Sequence, residues 1–197
     1  MHFPWIHYDP SQHPVAFVGT ILLAWAWLMA LYAMAASVWG GLRRREPWVR
    51  SGEHALGATA LVLSMAVFLL WQALYTNNFD LAYIVQHSSS KIPRLYALAA
   101  LWGGQEGSLL FWVWILSLYT ALVLLQNRHR RRLWLPYVSA TLALVQLFFL
   151  TTILFAANPF TPVPEAVGEG RGLNPILQRP LMAIHPPNLY LGYVCLL

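Results

Sequence analysis

The sequence predicts an all-α fold, a polytopic transmembrane helical bundle of about four full spans plus the start of a fifth, with its N-terminus outside. Three observations carry this. Hydrophobic residues make up 58% of the chain and charged residues only 10%. A soluble domain carries about 25% charged residues, because only a surface that faces lipid penalises ionised groups so heavily. The apolar residues also fall in runs long enough to cross a bilayer, which takes about 20 residues as a helix. Finally, the net charge of +5 is unevenly placed: eight of the 12 basic residues sit in two short connections, Arg43, Arg44, Arg45 and Arg50, then Arg128, Arg130, Arg131 and Arg132. That clustering is a topology signal and argues against nucleic acid as a partner.

Residues 1–14 are polar and aromatic and contain no Lys or Arg. A secretory leader places basic residues ahead of its apolar core. Here they follow it, so 15–38 reads as the first span. Gly40 to Pro47 is expected to end that helix and form a short cytoplasmic loop. Span two covers 55–75, with Glu53 and His54 at its start. Asn77-Asn78-Phe79-Asp80 opens an outer loop that continues through His87 and Ser88-Ser89-Ser90 to Pro93.

The next apolar stretch, 95–125, is interrupted by Trp102-Gly-Gly-Gln-Glu106-Gly107. Residues 95–101 read as an interfacial approach and 105–125 as the third span. The fourth covers 133–157, with Pro136 near its start, where a missing N–H costs least. Residues 158–187 form a long outer loop with seven prolines, and 188–197 begin a fifth span. Ten residues do not cross a bilayer, so the chain reads as one membrane domain, 1–197, forming the N-terminal fragment of a longer protein. The one cysteine, Cys195, permits no intrachain disulfide. It is expected to be a small buried hydrophobe.

The segment before the fifth run carries most of the chemistry. In His185-Pro186-Pro187-Asn-Leu-Tyr190, Pro186 disfavours the α conformation for His185. Pro187 can open the following helix. A histidine held this way can offer a nitrogen to a metal, or can hydrogen-bond a loop carbonyl. Glu106 is either a polar anchor near the outer boundary or a helix-start carboxylate favoured by the dipole. Gly103, Gly104 and Gly107 around it would permit close approach of other groups. Trp102, Phe111, Trp112 and Trp114 suit a flat aromatic ligand or an interfacial belt. Arg171 and Arg179 suit anionic ligand groups, or salt bridges with Glu165 and Glu169. The remaining histidines, His2, His7, His13, His54, His87 and His129, read as solvated polar residues.

Three segments, taken in order, resemble the N-terminal part of the CcmF/NrfE family of cytochrome c maturation proteins. They are Asn77-Asn-Phe79-Asp-Leu-Ala-Tyr83 with Ser88-Ser-Ser; Trp102-Gly-Gly-Gln-Glu106-Gly-Ser108 running to Trp112; and Asn158-Pro-Phe160, Glu169-Gly-Arg171-Gly-Leu-Asn174-Pro175 and His185-Pro-Pro-Asn-Leu-Tyr190-Leu-Gly192-Tyr193. The third is very specific, the second fairly so, and the first weak alone. The resemblance covers nearly all of 15–197.

It implies a haem lyase component in the inner membrane. That component takes haem b, its transferred substrate, from a periplasmic haem chaperone and promotes covalent attachment to apocytochrome c. Other cytochrome c maturation membrane subunits and membrane lipid are implied partners, and the complete protein would carry a b-type haem further on. His185 is implied as an axial ligand of the haem iron, on a 158–187 loop facing the periplasm. Pro186, Pro187, Tyr190, Trp102, Glu106 and Arg171 complete the implied haem-binding set. No residue of the chain is assigned a catalytic proton transfer. The alternative is a non-catalytic membrane scaffold or a haem-transporter subunit. An ion-coupled transporter would need acids or bases deep in several spans, and only Glu106 comes close.

Overall fold

A computed structural model describes residues 11–127, 133–165 and 167–195, with Leu95 described by its backbone alone. His2, His7, Asp9, the cluster Arg128–Arg132 with His129, and residues 196 and 197 therefore lie outside the described residues. Among the described residues seven α-helices follow one another: α1 (Pro14–Leu42), α2 (Glu46–Tyr75), α3 (Ala82–His87), α4 (Arg94–Ala99), α5 (Gln105–Asn127), α6 (Leu135–Phe155) and α7 (Pro180–Cys195). Short 3₁₀ turns at Ala100–Trp102 and Pro175–Gln178 precede α5 and α7. Four helices, α1, α2, α5 and α6, are long and apolar enough to cross a membrane. The chain is thus a multi-pass membrane protein.

The spans form an antiparallel bundle. α1 packs most extensively on α2 and also on α6, α5 lies against α2 and α6, and α7 leans on α5. The α1–α2 contact is built from small residues: Ala26, Ala30, Ala33, Ala36 and Gly40 are buried along α1. Small side chains let helix backbones approach closely where lipid offers no hydrophobic drive. Polar side chains supply cross-ties inside this apolar packing. Trp27 donates its indole N–H to Thr151 Oγ1 at 2.9 Å, joining α1 to α6. Trp114 donates to Ser64 Oγ at 2.9 Å, joining α5 to α2. Gln146 donates to Thr120 Oγ1 at 2.9 Å, joining α6 to α5.

Several boundaries differ from expectation. The loop foreseen over Gly40 to Pro47 is only a three-residue turn, Arg43 to Arg45. α1 runs through both glycines, and α2 begins at Glu46 with Pro47 in its first turn, where proline is tolerated. The 30 residues of α2 measure about 45 Å at 1.5 Å per residue, more than a hydrocarbon core of about 30 Å. Its N-terminal turns therefore extend beyond the apolar layer. The segment 76–93, foreseen as a loop, holds a helix, α3, and the approach before α5 is α4 with its 3₁₀ turn, buried at Ala100 and Leu101.

The largest correction concerns the start of the fifth apolar segment. The long outer connection ends at Arg179 rather than at 187, and α7 contains Pro186 and Pro187. Arg179 is extended (φ −97°, ψ 130°), as a residue before proline prefers, so Pro180 opens the helix. Neither Pro186 nor Pro187 has an N–H, so the carbonyls of Met182 and Ala183 lose their helical donors. Membrane helices tolerate internal proline where neighbouring helices, hydroxyl side chains or local adjustment of the backbone take up the freed carbonyls. Cys195 also departs from expectation. It is exposed and donates from Sγ to Tyr119 Oη at 3.3 Å.

The connections after α2 and after α6 are stitched together. Ala82 N donates to Thr161 O at 2.9 Å and Val163 N to Asp80 O at 2.9 Å. Between them, Leu81 and Pro162 form an isolated antiparallel bridge. Further along, Arg171 N donates to Val85 O at 2.7 Å and Gly172 N to Ser88 O at 3.0 Å. Phe160 is fully buried, with its ring directly on Gly19 of α1, where a Cβ would collide with it. Asn158 Nδ2 donates to Thr20 Oγ1 at 3.1 Å. These contacts bring the end of α6 beside the start of α1. At the opposite end, Gly41 packs against Pro136, placing the start of α6 beside the α1–α2 turn.

Candidate functional site

Glu106 lies in the first turn of α5, where the helix dipole favours a carboxylate. It lines a small cavity of about 220 Å³ with Tyr83, Gln86, Asn158 and Thr161. The glycines around it do permit close approach: a Cβ on Gly107 would strike Tyr83 and the Leu101 carbonyl, and one on Gly104 would strike His87. Tyr83 anchors this corner. Its hydroxyl donates to Ala100 O at 2.7 Å and Leu101 O at 2.9 Å, and accepts from Gly104 N at 3.2 Å. His87, read from sequence as a solvated loop residue, is instead half-buried at the end of α3. It stacks on Tyr83 and donates from Nδ1 to the Tyr83 carbonyl at 2.9 Å.

Trp102 and Tyr190 both pack on one ring, that of Phe111. Phe111 lies 5.2 Å from Trp102 and 5.9 Å from Tyr190, centroid to centroid. Trp114 continues the line at 5.6 Å from Phe111. The indole N–H of Trp102 is buried and has no acceptor among the described residues. Tyr190 and Tyr193 also face a groove of about 520 Å³ between α5, α6 and α7, floored by Trp112 and Phe149. Pro187 and Leu191 line a further cavity, of about 230 Å³, together with Phe111 and Trp114.

His185 points elsewhere. At 100° per residue it lies on the face of α7 opposite Val194, which is buried. Its imidazole is exposed and has no hydrogen bond among the described residues, so the loop-carbonyl alternative does not apply. Leu181, Met182 and Leu189, three or four residues away on the same face, are exposed by 83%, 46% and 43%. The result is a histidine set in an uncovered apolar stripe.

Arg171 and Arg179 are exposed and form no salt bridge among the described residues. Glu169 is occupied instead by Ser90, through the backbone N–H at 2.9 Å and the hydroxyl. Those bonds hold its carboxyl down at about 2. Asn174 accepts from Ile176 N at 3.0 Å and caps the 3₁₀ turn before α7. The residues foreseen as one set are therefore distributed. Trp102 and Tyr190 converge on Phe111, Glu106 faces a separate cavity, Arg171 lies on the outer connection, and His185 faces outward. No group of three or more His, Cys, Asp or Glu side chains gathers as a metal site among the described residues, so His185 would be a lone protein ligand here.

Sequence reasoning missed the Tyr83–His87 corner and the Gln146–Thr120 tie. The second had a signal, since a glutamine inside an apolar run needs a partner. The first had none, because the partners of Tyr83 are backbone carbonyls 17 and 18 residues away.

Residues 102–197 match the model of the cytochrome c assembly protein family, an interval containing Trp102, Glu106, Arg171 and all of α7. NrfE of Haemophilus influenzae, a cytochrome c-type biogenesis protein, is 34% identical over 90% of this chain and 28% of its own length. CcmF of Escherichia coli is 35% identical over 90% of this chain and 28% of its own. A solved structure of the cytochrome c haem lyase CcmF superposes with a TM-score of 0.77 at 25% identity, covering 91% of this chain and 28% of that one. The chain is similar to CcmF and NrfE over their N-terminal part. It spans a little over a quarter of the length of these relatives, and its helical membrane fold is the CcmF fold over that part.

Proposed function

We propose that this chain forms the N-terminal part of a haem lyase, and that His185 is an axial ligand to haem b as the haem passes from a periplasmic chaperone to apocytochrome c. The exposed, unpartnered His185 on an apolar stripe of α7 carries this reading. Imidazole is a common axial ligand, and its identity tunes the iron's potential. The flanking Leu181, Met182 and Leu189 offer surface to the apolar faces of a porphyrin. Arg171 and Arg179, with guanidinium groups unengaged, are suited to propionate carboxylates. Trp102, Phe111 and Tyr190 act behind α7 and hold it against α5. Glu106 shapes the corner where α3 meets α5.

Within this reading His185 binds and orients. The attacking thiolates belong to apocytochrome c. The outer connection faces the periplasm and the arginine end of the bundle faces the cytoplasm, the orientation favoured by the positive-inside rule. The test is the yield of mature cytochrome c in cells whose complete protein carries His185→Gly. A loss of holocytochrome, partly restored by added imidazole, is expected. An unchanged yield would favour the scaffold alternative.

A further inference from the structure

We propose that the cavity between the α1–α2 turn and the start of α6 binds the phosphodiester headgroup of an anionic glycerophospholipid. The cavity, of about 610 Å³, lies at the arginine end and is bounded by Gly40, Gly41, Arg44, Val49, Pro136 and Tyr137. Its chemistry is divided as an amphiphile requires. Val49, Pro136 and Leu133 supply an apolar wall, and Arg44 supplies the cation.

The local charge is uncompensated. Between Arg43 and Arg50, four arginines stand against one glutamate, leaving +3. The acid lining the cavity, Glu46, is engaged by Arg50 through Nε at 3.2 Å and Nη2 at 2.9 Å. Arg43 lies over the exposed Trp39 ring at 4.7 Å, and of the arginines in this turn it is Arg44 that lines the cavity. Arg44 holds a left-handed backbone (φ 50°), a conformation that residues other than glycine seldom adopt. It closes α1 as the left-handed residue of a Schellman end, its N–H on Gly41 O and that of Arg45 on Gly40 O.

The rim is built for the boundary of a bilayer. Leu42, Trp48, Leu133, Trp134 and Tyr137 are exposed there, and exposed aromatic rings mark headgroup depth. Basic pockets between membrane helices bind acidic lipid headgroups, with the acyl chains against apolar helix faces. A free phosphate would use the cation and leave the apolar wall uncovered.

The test uses the full-length protein in detergent, with retained lipid counted by native mass spectrometry after exposure to phosphatidylglycerol or phosphatidylcholine. Phosphatidylglycerol should be retained and phosphatidylcholine lost. Arg44→Gly relieves the left-handed backbone, so it should fold at least as well while weakening retention about fivefold, the effect of one basic residue near an anionic surface. Arg94→Gln, at the other end beside Tyr75, should leave retention unchanged. Equal retention of both lipids, undiminished retention in Arg44→Gly, or displacement by millimolar inorganic phosphate would each overturn the proposal.

Discussion

His185 shows how a residue's role depends on what it does not touch. Its neighbours on α7 are exposed and apolar, and its ring is unpaired among the described residues. Glu169 is the opposite case. Its carboxylate is committed to Ser90, and those bonds lower its pKa from the ordinary carboxylate range to about 2. A carboxyl whose pKa falls on folding stabilises the fold above its unfolded value, and that contribution disappears as pH falls through its folded value. Protection of the Ser90 amide, its exchange rate relative to the intrinsic rate at each pH, should therefore stay level from pH 8 to about 5, then be lost as pH falls from about 4.5 toward 2. In Ser90→Ala the acid-side transition should move to higher pH; an unmoved transition would show that Ser90 does not hold the carboxylate. The sequence located both residues but not their environments. Glu169 and Ser90 are 79 positions apart, and Pro186 misdirected the local reading of His185, because a rule about isolated dipeptides yields to the demands of a helix beside lipid.

Among the elements, the spans were legible because the apolar length needed to cross a bilayer is written locally. Their ends were less so. Gly40, Gly41 and Pro47 resemble a loop, yet the glycines serve close packing and the proline starts a helix. α3 was invisible because six residues carry little periodic signal. Cross-ties between spans are a tertiary property, and Gln146 is the clearest. It donates to Thr120, but its own Oε1 is buried without a donor among the described residues. Hydrogen bonds between membrane helices are worth about 0.6 kcal/mol on average and at most about 1.7, and an unsatisfied buried acceptor offsets that gain. Gln146→Leu should thus change stability by less than about 1 kcal/mol in unfolding measurements in micelles. A loss of several kcal/mol would mean the tie is far stronger than a single hydrogen bond.

At the scale of the whole molecule, the bundle has two distinct ends. One carries the α1–α2 turn with its arginines. The other carries two connections stitched together by backbone hydrogen bonds and pinned to α1 through Phe160 and Asn158. Reporter fusions check the sidedness: a cytoplasmic reporter should be active at Arg45, and a periplasmic one at Glu165. The reverse pattern would place His185 on the wrong side for a periplasmic chaperone. The motifs Asn158-Pro-Phe160, Glu169-Gly-Arg171 and Asn174-Pro175 look in sequence like parts of a ligand site. In the fold they order the connection that presents α7. The most direct test of the central claim is haem capture by the complete protein. In the complete protein, the haem that co-purifies only when the haem chaperone is co-expressed, counted by pyridine haemochrome, should be present in the wild type and largely lost in His185→Gly, and imidazole should restore it. Equal haem in the two proteins, with identical reduced spectra, would contradict the assignment of His185 as an iron ligand.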